Sequence, residues 1–257
     1  MIGLGERYFK AVTEDSPIAY WRLGEKSGST AVDVIAARNG THGSGVTVGV
    51  VGPMEPGARY NGTSNGITNV ANNAAFSGWN DFAIEFWVKV IAWPTGTSAG
   101  YLIDVYNAVT GVNRGSWGIN IRGPSTSNPD TLIAFFSPNG STSLVGPSIP
   151  KASVANSAWH YVAFTRAGTT VTAYLDGNSV STATVSGALY ANAVDALMMG
   201  SAPSNAPANV ELAECAIYNT ALSAARIAAH YAAASVALRT GIRGNVAVRG
   251  KVGISNP

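Results

Sequence analysis

Carboxylates and aromatic rings carry most of the chemistry this sequence can offer. Retaining hydrolysis of a glycoside needs two carboxyl groups about 5–5.5 Å apart. Residues two apart on a strand project to one face, so acids at even spacing would supply that geometry. Glu211 and Glu214 are the nearest such pair in a predicted strand, and their odd spacing puts them on opposite faces. Asp81 and Glu85 have the right parity, but they lie across the start of a strand with Ala83 between them. A glycan hydrolase is therefore not the expected activity.

Other catalytic constellations are missing from the sequence. It has no phosphate-cradling Gly-Lys-Ser/Thr loop and no Gly-x-Gly-x-x-Gly run. Cys215 is the sole cysteine, so no internal disulfide forms, and its apolar neighbours predict a buried structural thiol. The histidines His42, His160 and His230 are scattered. His160 sits inside a strand pattern and reads as structural, and no transition-metal site is expected. No cofactor is implied. Calcium is the one cation left open, since Asp104 with Asn107, or Asp130 with Asn128, could give it oxygen ligands.

Sugar recognition needs exposed aromatic faces with polar side chains beside them. The segment from Trp93 to Trp117 holds that mixture: Trp93, Tyr101, Asp104, Tyr106, Asn107 and Trp117, with Asn113 and Arg114 nearby. These are the candidate ligand-binding residues. Core packing is the competing reading for any one of the rings.

Such residues need a scaffold. A chain of 257 residues is long enough to bury a large core without disulfide or metal. With 46% hydrophobic and 12% charged residues it is not a disordered chain, and 29 Gly and 12 Pro predict short elements joined by tight turns. Phe82–Val90 is the clearest strand: Phe82, Ile84, Phe86, Val88 and Val90 share one face, Glu85 and Lys89 the other. Trp87 falls on the polar face, expected half covered by a sheet edge or loop. Further strands are predicted at 101–106, 117–122 and 131–136. Asp176-Gly177 predicts a hairpin between Val171–Leu175 and Ser179–Val185. Asn-Gly pairs at 39, 61, 65 and 139 read as turns, although 39, 61 and 139 also match the glycosylation sequon. Residues 1–14 open with a short helix carrying Tyr8, Phe9 and Val12 on one side. Ser223 caps a second, Ala-rich helix with Ile227, Tyr231 and Ala234 on one stripe.

Several motifs fall in a familiar order. Tyr20-Trp21-Arg22-Leu23-Gly24-Glu25, Asp33 with Asn39-Gly40-Thr41, Phe82–Val90, Trp159–Thr165, Tyr174–Gly177 and Ala213–Ser223 together resemble the laminin-G-like branch of the concanavalin A-like sandwiches. Modules of this kind are common in bacteriophage tail proteins and bacterial surface proteins. The resemblance runs from about Tyr8 to Tyr231. It implies an all-β fold, a two-sheet antiparallel jelly-roll sandwich with a C-terminal helix. It also implies a protein that holds sugars or partners rather than one that cuts.

The C-terminal end departs from that pattern. The first 214 residues hold all 14 acids and 11 of the 16 basic residues, whereas residues 215–257 hold no acid and five basic ones. Ile242, Val246, Val248, Val252 and Ile254 alternate with Arg243, Asn245, Arg249 and Lys251, an extended β tail, apolar on one face and basic on the other. A lone strand is unstable in water, so the tail is expected to pair with another subunit as an assembly anchor. Folding back onto its own sandwich is the alternative. The expected organisation is 1–222 sandwich, 223–238 helix and 239–257 anchor. No secretory signal opens the chain and no run spans a membrane. The expectation is a non-enzymatic bacteriophage virion protein, a minor tail or fibre component adhering to host-surface glycans. Its partners would be virion subunits, including copies of itself, with no membrane and no specific nucleic acid. A capsid decoration protein, or a secreted carbohydrate-binding module or glycan hydrolase, are the alternatives.

Overall fold

The computed structural model describes residues 4–105, 115–192, 194–202 and 206–241. Helix α1 (Leu4–Glu14) leads into β1 (Ala19–Trp21), β2 (Thr30–Ala31), β3 (Gly40–His42), β4 (Val46–Val50), β5 (Gly57–Asn61) and β6 (Thr68–Val70). Then come β7 (Phe82–Ala92), β8 (Ala99–Val105), β9 (Trp117–Arg122), β10 (Thr131–Phe136), β11 (Leu144–Pro150) and the single turn α2 (Lys151–Val154). The chain closes with β12 (His160–Ala167), β13 (Thr170–Leu175), β14 (Asn178–Thr184), β15 (Leu197–Met199), β16 (Asn209–Tyr218) and α3 (Ala224–Gly241).

The strands form two antiparallel sheets. The first runs β14-β13-β12-β7-β16-β5-β4, with β1 also paired to β16. The second runs β11-β10-β9-β8-β15-β6-β3-β2. The chain crosses between the sheets after β1, β3, β5, β6, β7, β11, β14 and β15, as a jelly-roll path does. The expected strands at 117–122 and 131–136 match β9 and β10 end to end. The Asp176-Gly177 hairpin is also present, with both residues at positive φ (49° and 81°), as a tight turn between β13 and β14 requires.

The inter-sheet core takes the predicted face of β7: Phe82, Ile84, Phe86, Val88 and Val90 are all buried. Trp21, Phe76, Trp79 and Trp117 fill the space beside them, with Trp79 and Trp117 stacked at 5.9 Å. The other face of β7 is not the solvated face that its polar residues suggest. Trp87 is only 1% exposed and Glu85 is 0% exposed. Helices α1 and α3 cover them, with Tyr231 of α3 stacked on Trp87 at 6.0 Å and Tyr8 of α1 edge-on at 6.4 Å. So Trp87 is covered by two helices rather than half covered by a sheet edge or loop. Ser223 accepts from the Arg226 N–H at 3.3 Å, the N-cap that its position predicts. The helix then runs three residues past the expected end at 238.

A bulge in β16 corrects a second expectation. Glu214 has φ 55°, and its N–H donates to Arg22 O at 3.0 Å, while the register with β7 slips between Ala213 and Ala216. The extra residue turns Glu214 to the outer face, where Glu211 also lies opposite Lys89. The two acids therefore share a face despite their odd spacing.

Candidate functional site

At one end of the sandwich the chain passes from β7 to β8 and leaves an open cleft of about 450 Å³. It is lined by Trp93, Pro94, Thr95 and Ser98 of the β7–β8 connection and by Ala99 of β8. Pro207, just before β16, Asn209, its first residue, and Gly62, just past β5, complete the lining. Gly62 has φ 75°, and a Cβ there would stand 3.0 Å from the Cβ of Asn209, so the wall closes only around glycine.

Trp93 is half-buried and fixed. Its indole N–H donates to Arg122 O at 2.8 Å, and the Lys151 ammonium sits 5.5 Å from the ring centroid. The ring packs partly against the inter-sheet core, and with the N–H engaged what it adds to the cleft lining is apolar. Asn209 is held by Arg59, whose Nη2 donates to Oδ1 at 3.3 Å. Behind it, Glu211 pairs with Arg59 at 3.6 Å and with Lys89 at 3.2 Å. The described lining residues include no carboxyl group.

The sequence-predicted ligand residues do not assemble as one group. Trp93 lines the cleft. Tyr101 lies next to it, through a bridge to Pro207 and a backbone N–H donated to Ala206 O at 3.0 Å. Trp117 is a core residue instead: it is 0% exposed, and its indole N–H donates to Phe76 O at 2.7 Å. Asp104 is likewise 0% exposed on β8. Spacing alone cannot separate Trp93 from Trp117, because burial depends on which sheet lies opposite. Tyr106 and Asn107, with Asn113 and Arg114, lie outside the described residues, as do the anchor positions Ile242, Arg243, Val246, Val248, Arg249, Lys251, Val252 and Ile254. Asn209 was missed by the sequence reading. A single Asn at a strand start carries no periodic signal.

The calcium candidates are committed elsewhere or outside view. Asp130 Oδ1 accepts from Lys151 Nζ at 3.0 Å, and the Asn128 amide donates to Ser127 Oγ at 3.4 Å. Among the described residues no group of three or more His, Cys, Asp or Glu is placed to hold a metal. No helix among them is long and apolar enough to cross a membrane.

A second polar assembly lies under the two helices. Glu85 accepts from Tyr161 OH at 2.5 Å, from Tyr218 OH at 3.1 Å and from His230 Nδ1 at 2.9 Å. His230 Nε2 lies 3.0 Å from Asp15 Oδ2 but off the line a hydrogen bond needs. Burial alone would lower the His230 pKa, yet Glu85 and Asp15 outweigh it and hold the imidazole above its usual range. Glu214 accepts from Tyr20 OH and from Arg22 Nη2, the latter at 2.9 Å. Burial raises its pKa, and Arg22 and Tyr20 only partly offset that. These acids are enclosed and paired, which suits a structural role. His160 is structural as expected, bonding Asp176 at 2.9 Å and Asn156 at 3.0 Å. Cys215 is buried, and burial pushes its thiol pKa well up.

A family model described as the concanavalin A-like lectin/glucanases superfamily matches residues 61–228. None of the curated proteins matches the sequence. Among solved structures the fold is similar to that of botulinum neurotoxin type C, whose cell entry depends on interaction with two ganglioside molecules. The identity is 16% and the TM-score 0.66, over 88% of this chain and 53% of that one. It is also similar to the binding domain of Paraclostridial mosquitocidal protein 1, at 16% identity and TM-score 0.63, over 86% and 52% of the two chains. A third is the binding domain of botulinum neurotoxin DC in complex with rat synaptotagmin II, at 16% identity and TM-score 0.63, over 87% and 52%. The chain spans about half the length of these structures, with 52–53% of each covered.

Proposed function

We propose that this chain, which belongs to the concanavalin A-like lectin/glucanase superfamily, is a non-enzymatic glycan-binding protein that uses the Trp93 cleft. One observation carries the reading. A fixed indole and an oriented amide line one open cleft whose described lining has no carboxyl group. An aromatic face stacks on the C–H face of a sugar ring, and an amide completes the polar contact. Hydrolysis would need two carboxyl groups about 5–5.5 Å apart at the site. Glu211 and Glu214 share a face, but each is engaged by cations, Arg59 and Lys89 on one and Arg22 on the other. That pairing supports a binding role over a hydrolytic one. The ganglioside dependence of botulinum neurotoxin type C, a structural neighbour, is in keeping with a sugar ligand.

The wider setting follows from the resemblance to phage tail modules and from the alternating basic sequence after α3. In this reading the protein is a virion component, a tail or fibre subunit. The sandwich faces the host surface, and the residues after Gly241 anchor it by strand addition to a neighbouring subunit. Weak sites would act together through copy number.

A glycan array of the full chain tests the binding function. Trp93→Ala should lose about two- to tenfold or more in affinity for the bound sugar, since one stacked aromatic contributes about 0.5–1.5 kcal/mol beyond its burial. Unchanged binding by the variant would remove the cleft from consideration. Deletion of 239–257 should leave the sandwich folded and abolish its incorporation into particles, and normal incorporation would refute the anchor.

A further inference from the structure

Asn209 narrows the choice of ligand further than the Trp93 ring does. Arg59 Nη2 donates to Asn209 Oδ1 at 3.3 Å, which fixes the amide orientation and turns its acceptor oxygen toward Arg59. What Asn209, a lining residue, can still offer a ligand is its Nδ2 donor. The cleft therefore asks for an acceptor oxygen at that point.

Charge strengthens the request. Asn209 and Glu211 are two apart on β16 and share a face. Glu211 stands 3.6 Å from Arg59 and 3.2 Å from Lys89, so two cations face one carboxylate behind the Asn209 wall. The Glu211 side chain is 9% exposed, whereas those of Arg59 and Lys89 are 35% and 28% exposed, so the positive charge is the part that reaches solvent. No described lining residue supplies a negative charge against it.

We propose that the Trp93 cleft selects an acidic sugar, one whose ring stacks on Trp93 and whose carboxylate accepts from Asn209 Nδ2 within the field of Arg59 and Lys89. This rests on the glycan-binding reading above and adds a ligand class to it. A neutral sugar could use the same stack and the same amide, but it would leave the excess charge without a role.

The test is a glycan array of matched pairs in which one member carries a carboxylate and the other a hydroxyl at the same carbon. The full chain should bind the carboxylate member about tenfold more tightly at low salt. The preference should shrink as salt shortens the screening length to about 3 Å near 1 M. Asn209→Asp keeps an acceptor for Arg59 and adds an anion to the wall. It should lose the acidic member while retaining the neutral one, and Arg59→Gln should narrow the ratio, with melting curves confirming that both variants fold. Equal binding of the two members, or an unchanged ratio in both variants, overturns the acidic preference alone. Binding of neither member of any pair overturns the glycan reading as well.

Discussion

The inner face of β7 presents Phe82, Ile84, Phe86, Val88 and Val90 to the opposite sheet, while its outer face presents Ala83, Glu85 and Trp87 to helices α1 and α3. Both faces are buried, yet they are filled differently. The inner face is a dry layer in which apolar area and close packing supply the stabilisation. The outer layer buries Glu85 and His230 at 0% exposure and must satisfy them with Tyr161 and Tyr218. A network of this kind gives modest net energy when complete and costs heavily when a member is lost. It does fix position. The helix carrying His230 docks where imidazole meets Glu85, with the Arg226–Asp15 pair at 2.8 Å a turn earlier. The difference suggests that packing holds the sandwich together, whereas directional bonds decide where the helices sit on it.

Substitutions on the two faces of this one strand region sharpen the contrast. Phe86→Ala should have the larger effect, about 3–5 kcal/mol in denaturant unfolding, through lost transfer energy and a residual cavity. That cost should be flat between about pH 5 and 8, because no group on that face titrates there. His230→Gln should cost less, about 1–3 kcal/mol, and its cost should depend on pH. The folded-state pKa of His230 is raised, so its contribution is fully present below the unfolded value of 6.5 and is lost as pH climbs through the folded value. The gap between wild type and variant should thus be widest near about pH 6 and narrow toward alkaline pH. The facing groups that take part are Glu85, Asp15, Arg226 and Tyr8. A pH-independent gap would show that the imidazole acts only as a packing group. A pH-dependent cost of Phe86→Ala would show that the substitution reaches a titrating group and that the two layers are energetically coupled.

Local pattern made much of the scaffold legible. Period-two alternation located β7, runs bounded by turn residues located β9 and β10, the Asp176-Gly177 pair set the β13–β14 hairpin, and Ser223 marked the start of α3. Each signal lies within a few consecutive residues, where backbone sterics and side-chain parity act directly. The cleft was only partly legible. Trp93 could be proposed from its type, but nothing near it in sequence points to Gly62, Pro207 or Asn209, which belong to other strands.

From its own residues, then, the sequence determined strands joined by tight turns and a capped C-terminal helix, because alternation, turn residues and caps are short-range effects, while the two-sheet sandwich was what the family resemblance implied. Only the tertiary structure decided which polar residues are interior. Glu85 meets partners from positions 161, 218 and 230, and Glu214 changes face because its N–H bonds to Arg22 O. It likewise set Trp93 at a cleft and Trp117 in the core. Burial and hydrogen-bond satisfaction depend on what lies across the fold, and residues distant along the chain supply it.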